Sequence, residues 1–247
     1  TNLATFRVHI APLGFEIDRI VIPLKQTKAD KLWILAHENR SEDLSGPYLE
    51  KIKKECKKLG VEVKVAYSDR LSLFKTIKSI KDIISQEKGN YIYVNVASGS
   101  KIQAIASMMA CSLSKSSDNL KPFYAEPESY AAFEGKQQSF GIKDTIPLPL
   151  YAIHTPHPKL LAALKIISEQ PSQKITKKEM ARIAEEQEII TVNAEKENHS
   201  QARFASLESN IIAPLEKEWK FVEVEKIGRN RWIKITQEGK DAAEFLI

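Results

Sequence analysis

The sequence predicts a doubly wound, Rossmann-like α/β domain with a mostly parallel sheet, followed by a winged helix-turn-helix domain. Three observations carry this. Short apolar runs alternate with helical stretches through the first 150 residues, and a proline-rich span, "IPLPLYAIHTPHPK" (146–159), interrupts regular structure. The remainder then reads helix, helix, helix, hairpin, helix.

In the first part, "FRVHIA" (6–11), "KLWILAH" (31–37), "VEVKVAY" (61–67), "YIYVNVA" (91–97) and "LKPFYAE" (120–126) are strand-like runs bounded by turn residues. Helical stretches at 16–28, 47–59, 70–88 and 100–116 lie between them. Strands separated by helices build βαβ units with right-handed crossovers and a sheet covered on both faces. Two further pieces, around 138–143 and 145–151, are expected to add an antiparallel edge.

Four prolines across 146–159 suit a semi-rigid linker, so the expected division is 1–150, a linker at 151–158, and 159–247. After the linker, "PKLLAALKIISEQ" has helical apolar spacing, and Thr176 with Glu179 reads as a capping box opening a second helix. A third helix from about Ser200 carries the stripe Phe204, Leu207, Ile211 and Leu215, with Pro214 bending or restarting it. "WKFVEVEKIGRNRWIKIT" (219–236) pairs two strands around a basic tip, and a last helix closes the run. The segment 188–199 exceeds an ordinary helix-turn-helix turn.

Composition narrows the function classes. The chain has 247 residues and a formal charge of +5, from 37 basic and 32 acidic side chains. Residues 154–247 hold fifteen of each sign, so the excess lies entirely in the first part. Cys56 and Cys111 have no metal-type spacing and read as reduced thiols. No apolar run approaches the roughly 20 residues that span a bilayer, and no signal-peptide pattern opens the sequence, so a soluble, cytoplasmic protein is expected. No Ser/His/Asp set, paired carboxylates or metal-ligand spacing stands out. His9 reads as a core histidine rather than a base, His154 and His157 flank linker prolines, and Met108 and Met109 read as helix core.

Ligands of open α/β sheets bind beyond the carboxyl ends of the strands, at the point where strand order reverses. Two glycine-bearing loops qualify: Pro12, Leu13, Gly14 and Phe15 after the first strand, and Ser98, Gly99, Ser100 and Lys101 after the fourth. Both precede helix N-termini, which favour anions. Neither is a Walker A loop nor a G-x-G-x-x-G turn, which removes the usual mononucleotide and dinucleotide sites and a nicotinamide-dependent enzyme with them. The second loop reads either as a phosphate cradle or as a serine N-cap beside a surface lysine. In the winged helix, Gln201, Arg203, Ser206 and Asn210 would face the major groove, and Lys226, Arg229, Asn230 and Arg231 would line the wing. The other reading of that module is dimerisation or protein contact.

"RVHIAPLGFEIDRIVIPL", "VNVASGSKIQAIASMMA" and the trailing winged helix together resemble archaeal transcriptional regulators with an N-terminal CARF domain, the CRISPR-associated Rossmann fold. The resemblance implies a homodimer whose loops after strands one and four form a ligand pocket across the two-fold axis. It implies a nucleotide second messenger, typically cyclic tetra-adenylate, as ligand, with Asn95 at the polar end of the pocket. It implies double-stranded DNA as the other partner, with no metal or resident cofactor. Where the family's second loop often runs Asn or Thr, two glycines and Thr-Lys, this chain has a serine in place of one glycine. The alternative activity the family offers is a ring nuclease, which cleaves the cyclic oligoadenylate using the ligand's own 2′-hydroxyl.

Overall fold

The computed structural model describes residues 4–41, 43–114, 119–130 and 138–247. The chain divides into two compact units, Thr1–His154 and Thr155–Ile247.

The first unit runs β1 (Arg7–Pro12), α1 (Asp18–Thr27), β2 (Lys31–His37), α2 (Gly46–Leu59), β3 (Glu62–Ser68), α3 (Leu73–Gln86), β4 (Tyr91–Asn95), α4 (Lys101–Leu113), β5 (Leu120–Glu126), β6 (Ser129–Tyr130), β7 (Ser139–Phe140) and β8 (Asp144–Pro147). The sheet order is β3-β2-β1-β4-β5-β8. All neighbours pair in parallel except β5 with β8. Burial on both faces explains the near-continuous apolar runs of the central strands. Ala11, Leu32, Ile34 and Ala36 meet Ile20 and Leu24 of α1 and Ile52 and Cys56 of α2 in one core.

Expectation and structure differ in detail. The pieces at 138–143 and 145–151 do not both join the main sheet. Only β8 does, while β7 pairs with β6 as a small separate ribbon. Proline at 147 and 149 ends β8 after four residues, since proline cannot donate to a ladder. Helix α3 starts at Leu73 rather than 70, because Ser72 accepts the Lys75 N–H as its N-cap. Residues 115 and 116 of the expected fourth helix lie outside the described residues.

The second unit runs α5 (Pro158–Ser168), β9 (Lys174–Thr176), α6 (Lys177–Glu186), α7 (His199–Leu207), two wide helical turns (Glu208–Ile212 and Pro214–Glu218), β10 (Val222–Ile227), β11 (Asn230–Ile235) and α8 (Gln237–Leu246). Its sheet is ordered β10-β11-β9. The expected stripe is real: Leu207, Ile211 and Leu215 are buried with Leu164, Met180, Ile233 and Ile235. Pro214 does not stop the helix. It lacks an N–H and crowds the carbonyl four residues back, and the chain accommodates it by widening to i→i+5 turns, with Trp219 N–H bonding Pro214 C=O. Half of the expected capping box forms: Thr176 accepts the Glu179 N–H, but the Glu179 carboxylate binds Arg182. In the 188–199 segment Ile189 and Ile190 are buried, so its first residues are core. The strand β9 was not foreseen; three residues beside a cap carry too short an alternation to read.

His9 shows how the core treats a polar group. It is buried, its ring stacks on Tyr93 at 4.9 Å between centroids, and Nε2 lies 2.8 Å from Thr27 Oγ1. That hydroxyl donates to the Pro23 carbonyl, so Nε2 carries the proton and donates to it. Burial pushes the ring's pKa from 6.5 down to about 3. The unfolded chain therefore binds a proton in this window that the folded chain does not. Stability should fall as pH drops from about 6.5 toward 3, by roughly 1.4 kcal/mol per unit from this group. Urea unfolding between about pH 4.5 and pH 7 should give a shallower pH slope for His9→Phe than for the parent; equal slopes would refute the assignment.

Candidate functional site

The reversal in strand order falls between β1 and β4, which pair directly from Arg7↔Tyr91 to Ile10↔Val94. The loops leaving them, 13–17 and 96–100, are thus brought side by side, as ligand loops of open sheets are. They touch through their glycines. A Cβ on Gly14 would lie 2.9 Å from both Cα and N of Gly99. A Cβ on Gly99 would lie 2.7 Å from Pro12 Cβ, and Gly99 sits at φ +78.

The polar groups around this contact are mostly spoken for. Ser100 is the N-cap of α4: its hydroxyl accepts the Gln103 N–H, and the Gln103 side-chain oxygen accepts the Ser100 N–H. The reading of Ser100 as a cap is therefore the one the structure takes, and Gln103 completes a capping box that Ser-x-x-Gln could have signalled. Asn95 is buried and spends both polar atoms on backbone, donating to Arg19 C=O and accepting from Ala97 N–H, each at 2.8 Å. It ties the β4 exit to the first turn of α1. Ser98 differs. It is 1 % exposed, and its Oγ has no hydrogen-bond partner among the described residues. An orphaned buried hydroxyl is costly, which makes it a group for a ligand or a loop movement to satisfy. Lys101 is exposed beside Ile102 and Ile105.

On the β1 side, Pro12 and Leu13 are buried, with Leu13 N–H bonded to Leu35 C=O. The Phe15 ring meets Tyr48 edge-on at 5.4 Å, and the Lys51 ammonium lies over Tyr48. Glu16 and Asp18, at the start of α1, both reach the β7 region. Glu16 is buried against Arg19 and accepts from Ser139 Oγ, and Asp18 accepts the Gly141 N–H. Arg19 also donates to Ala125 C=O and stacks over Tyr124. These acids therefore anchor the β7 region, and Arg19 meets the charge of Glu16. Arg19 was overlooked, although Glu-x-x-Arg at helical spacing was a visible signal.

The interlock has a measurable consequence. Gly60 also has positive φ (+70), but nothing lies within 4 Å of the position its Cβ would take. Gly60→Ala should cost only the left-handed backbone penalty, ~1 kcal/mol, while Gly99→Ala adds a clash with a proline ring and should cost at least twice as much. Denaturant midpoints of the two variants test this; equal losses would contradict the contact.

In the second unit the proposed readers separate into two groups. Gln201 and Asn210 are exposed. Arg203 is held by Glu185 of α6 at 3.1 Å, and Ser206 Oγ donates to Thr191 C=O and accepts from Asn210 Nδ2. At the wing, Lys226 pairs across from Arg231 and Ile227 from Asn230, with Gly228 at φ +62 and Arg229 closing the turn. All four polar wing residues are exposed. Lys174 of β9 stands over the Trp232 ring at 5.2 Å.

Other chemistry is thin. Burial pushes the Cys111 thiol up to about 12 and the Cys56 thiol up to about 11, so neither is a ready nucleophile. Among the described residues no group of three or more His, Cys, Asp or Glu could hold a metal ion. No described helix is long and apolar enough to cross a membrane.

Comparison with known proteins adds identity to this geometry. Residues 7–130, half of the chain, match the family described as HFX_2341_N:-like, N-terminal. Residues 159–247 match the DUF6293 C-terminal winged helix domain. Uncharacterized protein MJ1513 of Methanocaldococcus jannaschii is 26 % identical over 206 residues, covering 73 % of this chain and 61 % of that protein. Solved structures overlap more loosely. Enterococcus italicus Csm6 bound to cyclic hexa-2′-fluoro-hexa-dAMP aligns at 13 % identity and TM-score 0.42, over 51 % of this chain and 34 % of that one. Can2 from Sulfobacillus thermosulfidooxidans in complex with cyclic tetra-adenylate aligns at 14 % and 0.42, over 96 % and 63 %. Protein VC1899 from Vibrio cholerae aligns at 12 % and 0.42, over 96 % and 64 %. The chain thus spans less than two thirds of each of these proteins, and overlaps of that depth decide nothing about its ligand. The chain belongs to the HFX_2341_N:-like family, with a mostly parallel, Rossmann-like α/β sheet in its first unit and a DUF6293 winged helix in its second.

Proposed function

We propose that the protein is a dimeric, ligand-responsive DNA-binding regulator, with residues 1–150 sensing a nucleotide and 159–247 binding double-stranded DNA across the linker 151–158. The observation that carries the sensing half is the glycine contact at the strand-order reversal, with the buried, unpartnered Ser98 Oγ beside it. Pro12, Leu13, Gly14 and Phe15 form one wall and Ser98, Gly99, Ser100 and Lys101 the other. The first N–H groups of α4 lack intrahelical partners and suit an anionic oxygen. Lys101 supplies charge at the rim. Asn95 acts by holding the two loops in register. A cyclic oligoadenylate is the ligand class that the family resemblance implies. The exposed Ile102 and Ile105 on α4, 39 % and 55 % accessible, support a second copy packing on that helix.

The DNA half rests on the wing. Arg229 and Arg231 are exposed and carry no ion pair among the described residues, whereas the arginines of α6 and α7 do. Flexible cations at a hairpin tip suit phosphate contacts, and exposed Gln201 and Asn210 suit base edges. Ligand would act by binding two arrangements of the dimer with unequal affinity. Binding without cleavage is the preferred reading of the cleft, since the Ser100 hydroxyl is held by its cap.

Two measurements test this. Cyclic tetra-adenylate at about 100-fold over its Kd should raise the protein's stability by ~2.7 kcal/mol in a thermal-shift assay, ATP and AMP should not, and Ser98→Ala with Lys101→Ala should abolish the shift. Silence across cyclic oligoadenylates would remove the sensing claim; a ring recovered cut would replace it with the nuclease. Separately, Arg229→Gln with Arg231→Gln should weaken duplex binding and make its log–log salt slope shallower by roughly 2, one unit per lost phosphate contact. Binding indifferent to both substitutions would remove the wing from the DNA site.

A further inference from the structure

The turn of the winged helix that should be most cationic is instead closed by a carboxylate. Glu185, near the end of α6, faces two groups of α7: His199 Nε2 lies 2.9 Å from one oxygen, and Arg203 Nη1 donates to the other at 3.1 Å. The Arg203–Glu185 pair is largely shielded, with side chains 23 % and 29 % exposed. Arg203 Nε is buried without a hydrogen-bond partner among the described residues, so the guanidinium is packed inward rather than presented. The other arginine of the two helices, Arg182, lies between Glu179 and Glu186, with a contact at 2.6 Å to each. Of the four arginines in the unit, the two on the helices are clamped by glutamates and the two on the wing are exposed.

We infer that Glu185 is a specificity-determining residue: it holds Arg203 off the phosphate backbone and so suppresses sequence-independent DNA binding by the helix pair. The inference rests on the proposed DNA-binding reading of this unit. Non-specific affinity comes almost wholly from cations that neutralise phosphates, each adding about 0.9 to the salt slope on duplex DNA. An Arg203 whose charge is already met by a carboxylate releases few counterions on contact, and Glu185 itself repels an approaching phosphate. The wing then provides the backbone contacts, and α7 meets the groove through neutral groups such as Gln201. This arrangement also accounts for a winged helix whose basic and acidic side chains balance. The charge is not simply missing; at α7 it is paired off by a residue on the neighbouring helix.

The full-length chain should be assayed on a random-sequence duplex across a salt series, with thermal melts to confirm folding. Glu185→Gln keeps a hydrogen-bond acceptor but loses the charge. It should tighten non-specific binding several-fold at low salt and steepen the log–log slope by about 1. Arg203→Gln in the otherwise unaltered chain bares the Glu185 carboxylate and should weaken that affinity, whereas added to Glu185→Gln it removes the pair as a whole and should return binding to the parent level. Should Glu185→Gln fold poorly, the double variant Glu185→Gln with Arg203→Gln decides: binding weaker than the parent by as much as in the wing variants would make Arg203 a direct contact that Glu185 merely positions, and would overturn the inference. No gain in a well-folded Glu185→Gln protein would also overturn it. Failure of the DNA reading is a separate outcome, seen when parent and wing variants alike show no duplex binding at low salt while Glu185→Gln likewise shows none.

Discussion

The first unit is organised around one close approach: the backbone of Gly14 against that of Gly99, where the sheet's strand order reverses. Parallel pairing of β1 with β4 brings the two strand ends together, but it does not let the loops beyond them meet. Meeting requires that neither loop carry a side chain at the crossing point, and that one of them adopt a left-handed backbone. Gly99 satisfies both conditions, since its missing Cβ would overlap a proline ring that cannot rotate away. The surrounding groups then serve the crossing. Asn95 ties the end of β4 to the Arg19 carbonyl, the Ser100–Gln103 box fixes where α4 begins, and the Glu16–Arg19 pair closes the base against Ser139.

That network separates holding groups from the group left over. Asn95, Ser100 and Glu16 have their hydrogen bonds inside the chain, so their polarity is spent on geometry. Ser98 is buried among them with its hydroxyl unmet. Buried polar atoms without partners are rare, and a site that tolerates one tends to have a use for it. Residue type alone ranks Ser98 and Ser100 together as donors. Only placement shows that one caps a helix and the other has no hydrogen-bond partner among the described residues.

Much of the architecture was legible in the sequence. The alternation of runs at 6–11, 31–37, 61–67, 91–97 and 120–126 with helical stretches is a periodicity signal, and periodicity survives without tertiary information. The pairing of the two candidate loops followed from topology for the same reason. What stayed hidden depends on partners far away in sequence. Asp18 reaches the Gly141 N–H and Glu16 reaches Ser139, across 123 residues each, so no local pattern could show that these acids are anchored. The clamp on Arg203 is hidden likewise: Glu185 is eighteen residues distant on another helix, and Arg203 by itself reads as a groove contact. Pro214 is legible as the point where a new helical turn begins, but the widened turns that absorb it have no sequence signature of their own.

The charge pattern of the second unit bears on how a ligand could control it. Coupling between two sites is typically worth 1–3 kcal/mol, a factor of roughly 5 to 150 in affinity. A DNA-binding module rich in free cations would hold duplex so firmly at moderate salt that such a factor changed occupancy little. Here the unit is neutral in sum, its helical arginines are met by glutamates, and its exposed arginines sit on a hairpin tip. On the proposed DNA-binding reading, backbone contacts confined to the wing would make baseline affinity marginal, and marginal binding is where a modest coupling energy moves the population most. On that same proposed reading, pairing its own arginines is compatible with binding DNA and would help place that binding under the control of a small ligand.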